Sequence, residues 1–137
     1  MLNVKALLTK ILELINVIET WKTATKDYIV ETGTSNSWTY KKYNSGTYDA
    51  WRYYQATGLN LNSSSAGTYY GSSKDLTLPS FSTGLTSAVA TNAASQSSGV
   101  YIYQMAVESG KLRIHYRSHA SITNASCGAY VRITGTW

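Results

Sequence analysis

The chain of 137 residues carries a formal charge of +5, from 12 Lys and Arg against 7 Asp and Glu, and only 14% of its residues are charged. That length suits one compact domain with a short appendage, and the basic excess is spread from Lys5 to Arg132 instead of forming the concentrated patch of a nucleic-acid binder. Cys127 is the single cysteine, which excludes an intrachain disulfide and a cysteine-based metal site, and no run reaches the roughly 18 consecutive apolar residues of a membrane span.

Residues 4 to 21 carry the strongest periodicity. With Val4 as position a, Val4, Ile11 and Ile18 fall at a, and Leu7, Leu14 and Trp21 at d, so every seam position over nearly three heptads is apolar. This predicts a helix, with Asn3 as its N-cap and Leu2 stapled onto Leu7. Lys5, Lys10, Glu13 and Glu19 interrupt the apolar run, so the segment is expected to be mature structure and not a signal peptide. A lone helix of roughly 20 residues is barely stable in water and must bury its stripe, either on its own β domain or against further copies of itself. Val and Ile at a with Leu at d favour a dimer, whereas Leu8 and Ile15 at e and the bulk of Trp21 point to more than two helices. Residues 20 to 26 dilute the pattern and read as a junction, dividing the chain into an oligomerisation helix (1–26) and a β-sandwich head (27–137).

From Asp27 the period changes to two. Strands are predicted at 28–32, 37–43, 47–56, 76–78, 87–91, 100–107, 111–117 and 129–134. Eight short strands with turn signals between them indicate an antiparallel sandwich. Two hairpins stand out. In the first, Trp38 and Tyr40 share a face opposite Lys41, Asn44, Ser45 and Gly46 reverse the chain, and Trp51 lies on the return strand with Asp49 and Tyr53. Trp38 and Trp51 are assigned to the core, because an exposed pair would form a costly apolar patch. In the second, residues 100–117 turn at Glu108, Ser109 and Gly110. Leu112, Ile114 and Tyr116 then make a core face, opposite a wet and basic face of Lys111, Arg113, His115 and Arg117. Residues 59–71 and 80–99, rich in Ser, Thr, Asn, Gly and Ala, read as long exposed loops holding weak strands.

Three pieces of this pattern resemble the C-terminal β domains of small tail and fibre proteins of phages and prophages of Gram-positive bacteria. They are Gly33 followed by Trp38-Thr39-Tyr40-Lys41-Lys42-Tyr43, Ser45-Gly46 and Trp51; Leu76-Thr77-Leu78-Pro79 with Phe81 close behind; and the closing Tyr130-Val131-Arg132-Ile133-Thr134-Gly135-Thr136-Trp137. Tyr43 stands where a second Trp is usual, and Asp49-Ala50 replaces Glu-Cys, but the alternation survives both departures. The resemblance spans about residues 28 to 137 and implies a jelly-roll-like head on an N-terminal helix, usually trimeric about the helix axis. It also implies a place on a virion made in the host cytoplasm, with other virion proteins as neighbours.

Catalytic signals are weak. The carboxylates of the β region, Asp27, Glu31, Asp49, Asp75 and Glu108, share no motif of the kind a glycosidase pair needs, and no Gly-x-Ser-x-Gly elbow appears. His115 and His119 lie four apart, a metal spacing on a helix but not on a strand. No catalytic residue, metal ligand or cofactor is expected. Tyr53, Tyr54, Tyr69 and Tyr70 are candidates for stacking on sugar rings. Arg113, His115 and Arg117 are candidates for phosphate groups such as those of teichoic acids. With what the resemblance implies, the chain reads as a non-enzymatic homotrimer, attaching to bacterial surface glycans or teichoic acid, or else as a structural virion component docking to another virion protein.

Overall fold

The computed structural model describes residues 3–24 and 27–137, apart from the side chains of 22–24 and 94–96. Helix α1 runs from Val4 to Ala24. Asn3 caps it as expected, its side-chain oxygen accepting from the Lys5 and Ala6 amides at 3.1 and 3.3 Å. Leu2, expected to staple onto Leu7, lies outside the described residues, and so do residues 25 and 26 of the junction. Every side chain from Asn3 to Trp21 is exposed, and among the described residues helix and sheet share no extensive packed interface. The seam residues Leu7, Ile11, Leu14 and Ile18 are therefore left uncovered by the chain's own sheet.

The remainder is mainly β, a curled antiparallel sheet of eight strands: β1 (Ile29–Ser35), β2 (Trp38–Tyr43), β3 (Thr47–Ser65), β4 (Thr68–Thr77), β5 (Gly84–Gln96), β6 (Val100–Glu108), β7 (Lys111–Ser118) and β8 (Ile122–Thr136). Strand β3 organises it. Tyr40 and Ile133 both pair with Ala50, and Gly71 and Ile122 both pair with Leu61, so β8 lies along one edge of β3 while β2 and then β4 occupy the other. Beyond β4 follow β7 and β6, and beyond β8 follows β5. The long pair β3 and β8 bends where Gly58 and Asn124 both take positive φ (63° and 55°). Register shifts at Leu59 break the ladder there, and the two halves of the sheet curl toward one another around a common core.

Three hairpins close through two-residue turns with positive φ at both positions, Asn36-Ser37, Ala66-Gly67 and Ser109-Gly110, the geometry that matches strand twist. Gly46 (φ 83°) completes the turn expected at residues 44–46, its amide donating to the Tyr43 carbonyl at 3.1 Å.

Each predicted strand has its counterpart, but residues 59–71 and 80–99 are not long loops. Residues 59–65, 68–71 and 84–96 are strand, because backbone pairing with β8 and β4 needs no apolar side chains beyond Leu59 and Leu61, which are fully buried. A second correction concerns Trp51. Trp38 is fully buried and donates its indole N–H to the Thr77 carbonyl at 2.8 Å. Trp51 faces outward, because the register that sets Tyr40 opposite Ala50 sends Trp51 and Thr39 to the other face. The inner residues of this hairpin include Tyr40 and Tyr48, whose rings meet Phe81 edge-on at 4.5 and 5.2 Å. Leu112, Ile114 and Tyr116 are buried and their neighbours on β7 face out, as the alternation predicts.

Candidate functional site

On the outer face of β3, β8 and β5, ladder pairing sets Tyr53 opposite Tyr130 and Trp51 opposite Arg132, with Thr91 and Val89 next in line. The Tyr53 and Tyr130 rings lie 5.3 Å apart, tilted by 57°. Trp51 is 38% and Tyr130 64% exposed, unusual for rings of this size. Together these residues line an open depression of about 490 Å³. Its frame is polar: Arg132 donates to Asp49 at 2.9 Å, Lys41 stands 5.9 Å over the Trp51 ring, and the Tyr53 hydroxyl donates to Gln55. Flat apolar faces bordered by donors and acceptors suit a ring whose faces are C–H and whose rim is hydroxyl, as in a pyranose.

The tyrosines singled out in the sequence separate. Tyr53 belongs to this platform, whereas Tyr54 and Tyr69 are partly buried against the core. Burial pushes the Tyr54 hydroxyl above its ordinary range, with the Arg52 guanidinium pulling the other way. Tyr70 is exposed and stands directly opposite Arg117 on the second outer face, made of β4, β7 and β6. There Tyr70, His115 and Arg117 come together around a small hollow of about 120 Å³, joined by Tyr103, Gln104 and Ser72. Arg113 is set apart: its guanidinium grips Asp75 through bonds of 2.7 and 3.1 Å and also holds Glu108. The same contact, ahead of its charge, holds the Asp75 carboxyl below the usual range.

Trp51, Tyr130 and Tyr103 were not among the sequence candidates. For Tyr130 a signal existed, since it alternates with Val131 and Ile133 and so shares the wet face of Arg132. For Trp51 the matching sign was Asp49 on its own face.

The five carboxylates of the β region are all engaged in structure. Asp27 accepts from the Ser45 amide and hydroxyl (3.0 and 2.8 Å), Glu31 pairs with Lys42, Asp49 with Arg132, and Asp75 and Glu108 with Arg113. His119 lies against the Tyr101 ring at 5.2 Å. Among the described residues no three His, Cys, Asp or Glu side chains gather where a metal could sit. Cys127 is fully buried, and burial raises its thiol, the behaviour of a small apolar filler. Trp137 is docked, its amide donating to Gly46 at 3.0 Å and its indole to Tyr43 at 3.2 Å.

No family model matches the chain, and no curated protein and no solved structure matches it.

Proposed function

We propose that the protein is a non-enzymatic tail or fibre protein of a phage, a homotrimer that attaches to host cell-surface polysaccharide. In this reading the N-terminal helices form a short trimeric coiled coil carrying three jelly-roll-like heads, each presenting the Trp51, Tyr53 and Tyr130 platform to sugar rings. The observation that carries it is the uncovered stripe of Leu7, Ile11, Leu14 and Ile18 on a helix that the chain's own sheet does not cover. Such side chains gain about 1.5–3 kcal/mol each on full burial, and copies of the same helix offer a matching surface. Three tethered heads then turn weak sugar contacts into firm attachment, since linkage raises avidity by roughly 10²–10⁴.

A second reading has its own support. Val89, 60% exposed and opposite Arg132, is an apolar element that a protein partner would cover as readily as a sugar, so the same face suits docking to another virion protein. Pull-down of the intact protein with host envelope polysaccharide separates the two. Binding that is lost in Trp51→Ala and Tyr130→Ala supports attachment. No binding to any envelope fraction, with copurification on particles, supports the structural role.

A further inference from the structure

The strands on either side of β7 are both irregular at one level. The β4 ladder shifts between Tyr70 and Ser73, and the β6 ladder shifts between Ile102 and Gln104. Such bulges re-aim side chains, and here they flank Arg117 and His115. The extra residue of β6 is Tyr103, whose ring lies 3.7 Å from the Arg117 guanidinium carbon. On β4 the irregular stretch is Gly71-Ser72. A β-carbon at Gly71 would stand 2.2 Å from the Asn60 carbonyl oxygen, so only glycine lets β4 lie this close to β3. The double distortion leaves the hollow of about 120 Å³ beside Arg117, a size that admits one small tetrahedral group.

Charge sharpens the assignment. Of the three arginines on outward faces, Arg113 is bound by Asp75 and Glu108, and Arg132 by Asp49. Of these three only Arg117 has no carboxylate partner among the described residues; Arg52, which also has none, stands over the Trp38 and Tyr54 rings and donates to the Asn36 carbonyl. Arg117 donates to the Thr68 hydroxyl at 3.0 Å through one terminal nitrogen, and Tyr103 covers its plane. A guanidinium steadied by a ring and a single neutral acceptor keeps donors for a bidentate oxyanion.

We propose that Arg117, set on Tyr103 and flanked by His115 and Tyr70, forms a subsite for a single phosphate group. The source of that phosphate, a polymer of the host surface or a lipid headgroup, rests on the attachment reading; the chemistry of the subsite does not. The subsite lies on different strands from the Trp51 platform, so a phosphate-bearing glycan would be met at two chemically distinct places on one head.

The test is an NMR titration of the intact protein with inorganic phosphate, following the Arg117 side-chain Nε–H and the backbone amides of Tyr70, Tyr103 and His115. The expected result is a saturable shift of these signals, weakened roughly tenfold or more in Arg117→Gln and retained in Arg113→Gln. Tyr103→Leu, which keeps the charge but removes the ring, should weaken it in part. Equal shifts in parent and Arg117→Gln, or no shift in the parent, overturn the proposal. Soluble poly(glycerol phosphate) and phosphatidylglycerol vesicles form two further arms. Whichever moves the same signals supports the subsite and identifies the source, and silence from both overturns its role in attachment even where free phosphate binds. Because the titration does not depend on trimerisation or on sugar binding, its failure is distinct from failure of the attachment reading.

Discussion

Lys42 places its ammonium 2.9 Å from a Glu31 carboxylate oxygen and 4.2 Å from the centre of the Phe81 ring, with Trp137 closing over it at 4.9 Å. This lysine shares the inner face of β2 with Trp38 and Tyr40 and is 8% exposed. A register shift between Ile29 and Glu31 on β1 brings Glu31 directly opposite it. The pair thus joins the first strand to the C-terminal residue through one buried cation.

The Glu31 carboxyl is held below its ordinary value of 4.5, first by the Tyr40 hydroxyl and then by Lys42. A folded-state value below the unfolded one contributes stability that is present above the ordinary pKa and is lost as pH falls through the folded value. Glu31→Gln should therefore be less stable than the parent at neutral pH and approach it in acid. Urea midpoints measured from about pH 7 to about pH 3 should show the two curves converging; parallel curves would assign acid sensitivity elsewhere.

Trp38→Ala and Tyr130→Ala should behave oppositely. The first empties a fully buried site and strips the Thr77 carbonyl of its donor, at about 3–5 kcal/mol. The second trims an exposed ring and should change stability by about 0.5 kcal/mol or less, while weakening polysaccharide binding. Chemical denaturation beside a binding assay reads both.

Gly135→Ala should destabilise by about 2–3 kcal/mol. Its β-carbon would lie 2.1 Å from the Gly84 carbonyl oxygen and 2.7 Å from the Tyr48 ring, and neither the β5 backbone nor the buried Tyr48 can give way cheaply. Gly46→Ala meets nothing within 4 Å and tests backbone strain alone, so it should cost less, about 1 kcal/mol.

Ile11→Asp with Ile18→Asp should release monomers, because both changes place charge in the apolar seam. The mass in solution should fall from about three times the 15.0 kDa chain to that of one chain. An unchanged mass would assign association to the heads.

Much of this was legible in the residues themselves. The heptad of Val4 to Trp21 marks an amphipathic helix, and alternation places β1, β2, β6 and β7, the first half of β3, the end of β8 and the core face of Leu112, Ile114 and Tyr116, but only short pieces of β4 and β5. Such patterns are local, set by 3.6- and 2-residue repeats that no distant contact is needed to define. Tertiary structure alone decided which face of β3 turned inward, because Tyr48 and Ala50 on one side and Trp51 and Tyr53 on the other are both plausible linings. The choice came from the register with neighbouring β2, where Ala50 faces Tyr40, and with distant β8, where it faces Ile133. It also decided that the polar stretches around 60 and 90 become strand, since a ladder of backbone hydrogen bonds depends on a neighbouring edge and not on the side chains it carries. The meeting of Tyr70, Tyr103 and Arg117 belongs to the same class: two bulges on different strands create it, and a bulge appears only when one strand has a partner to slip against.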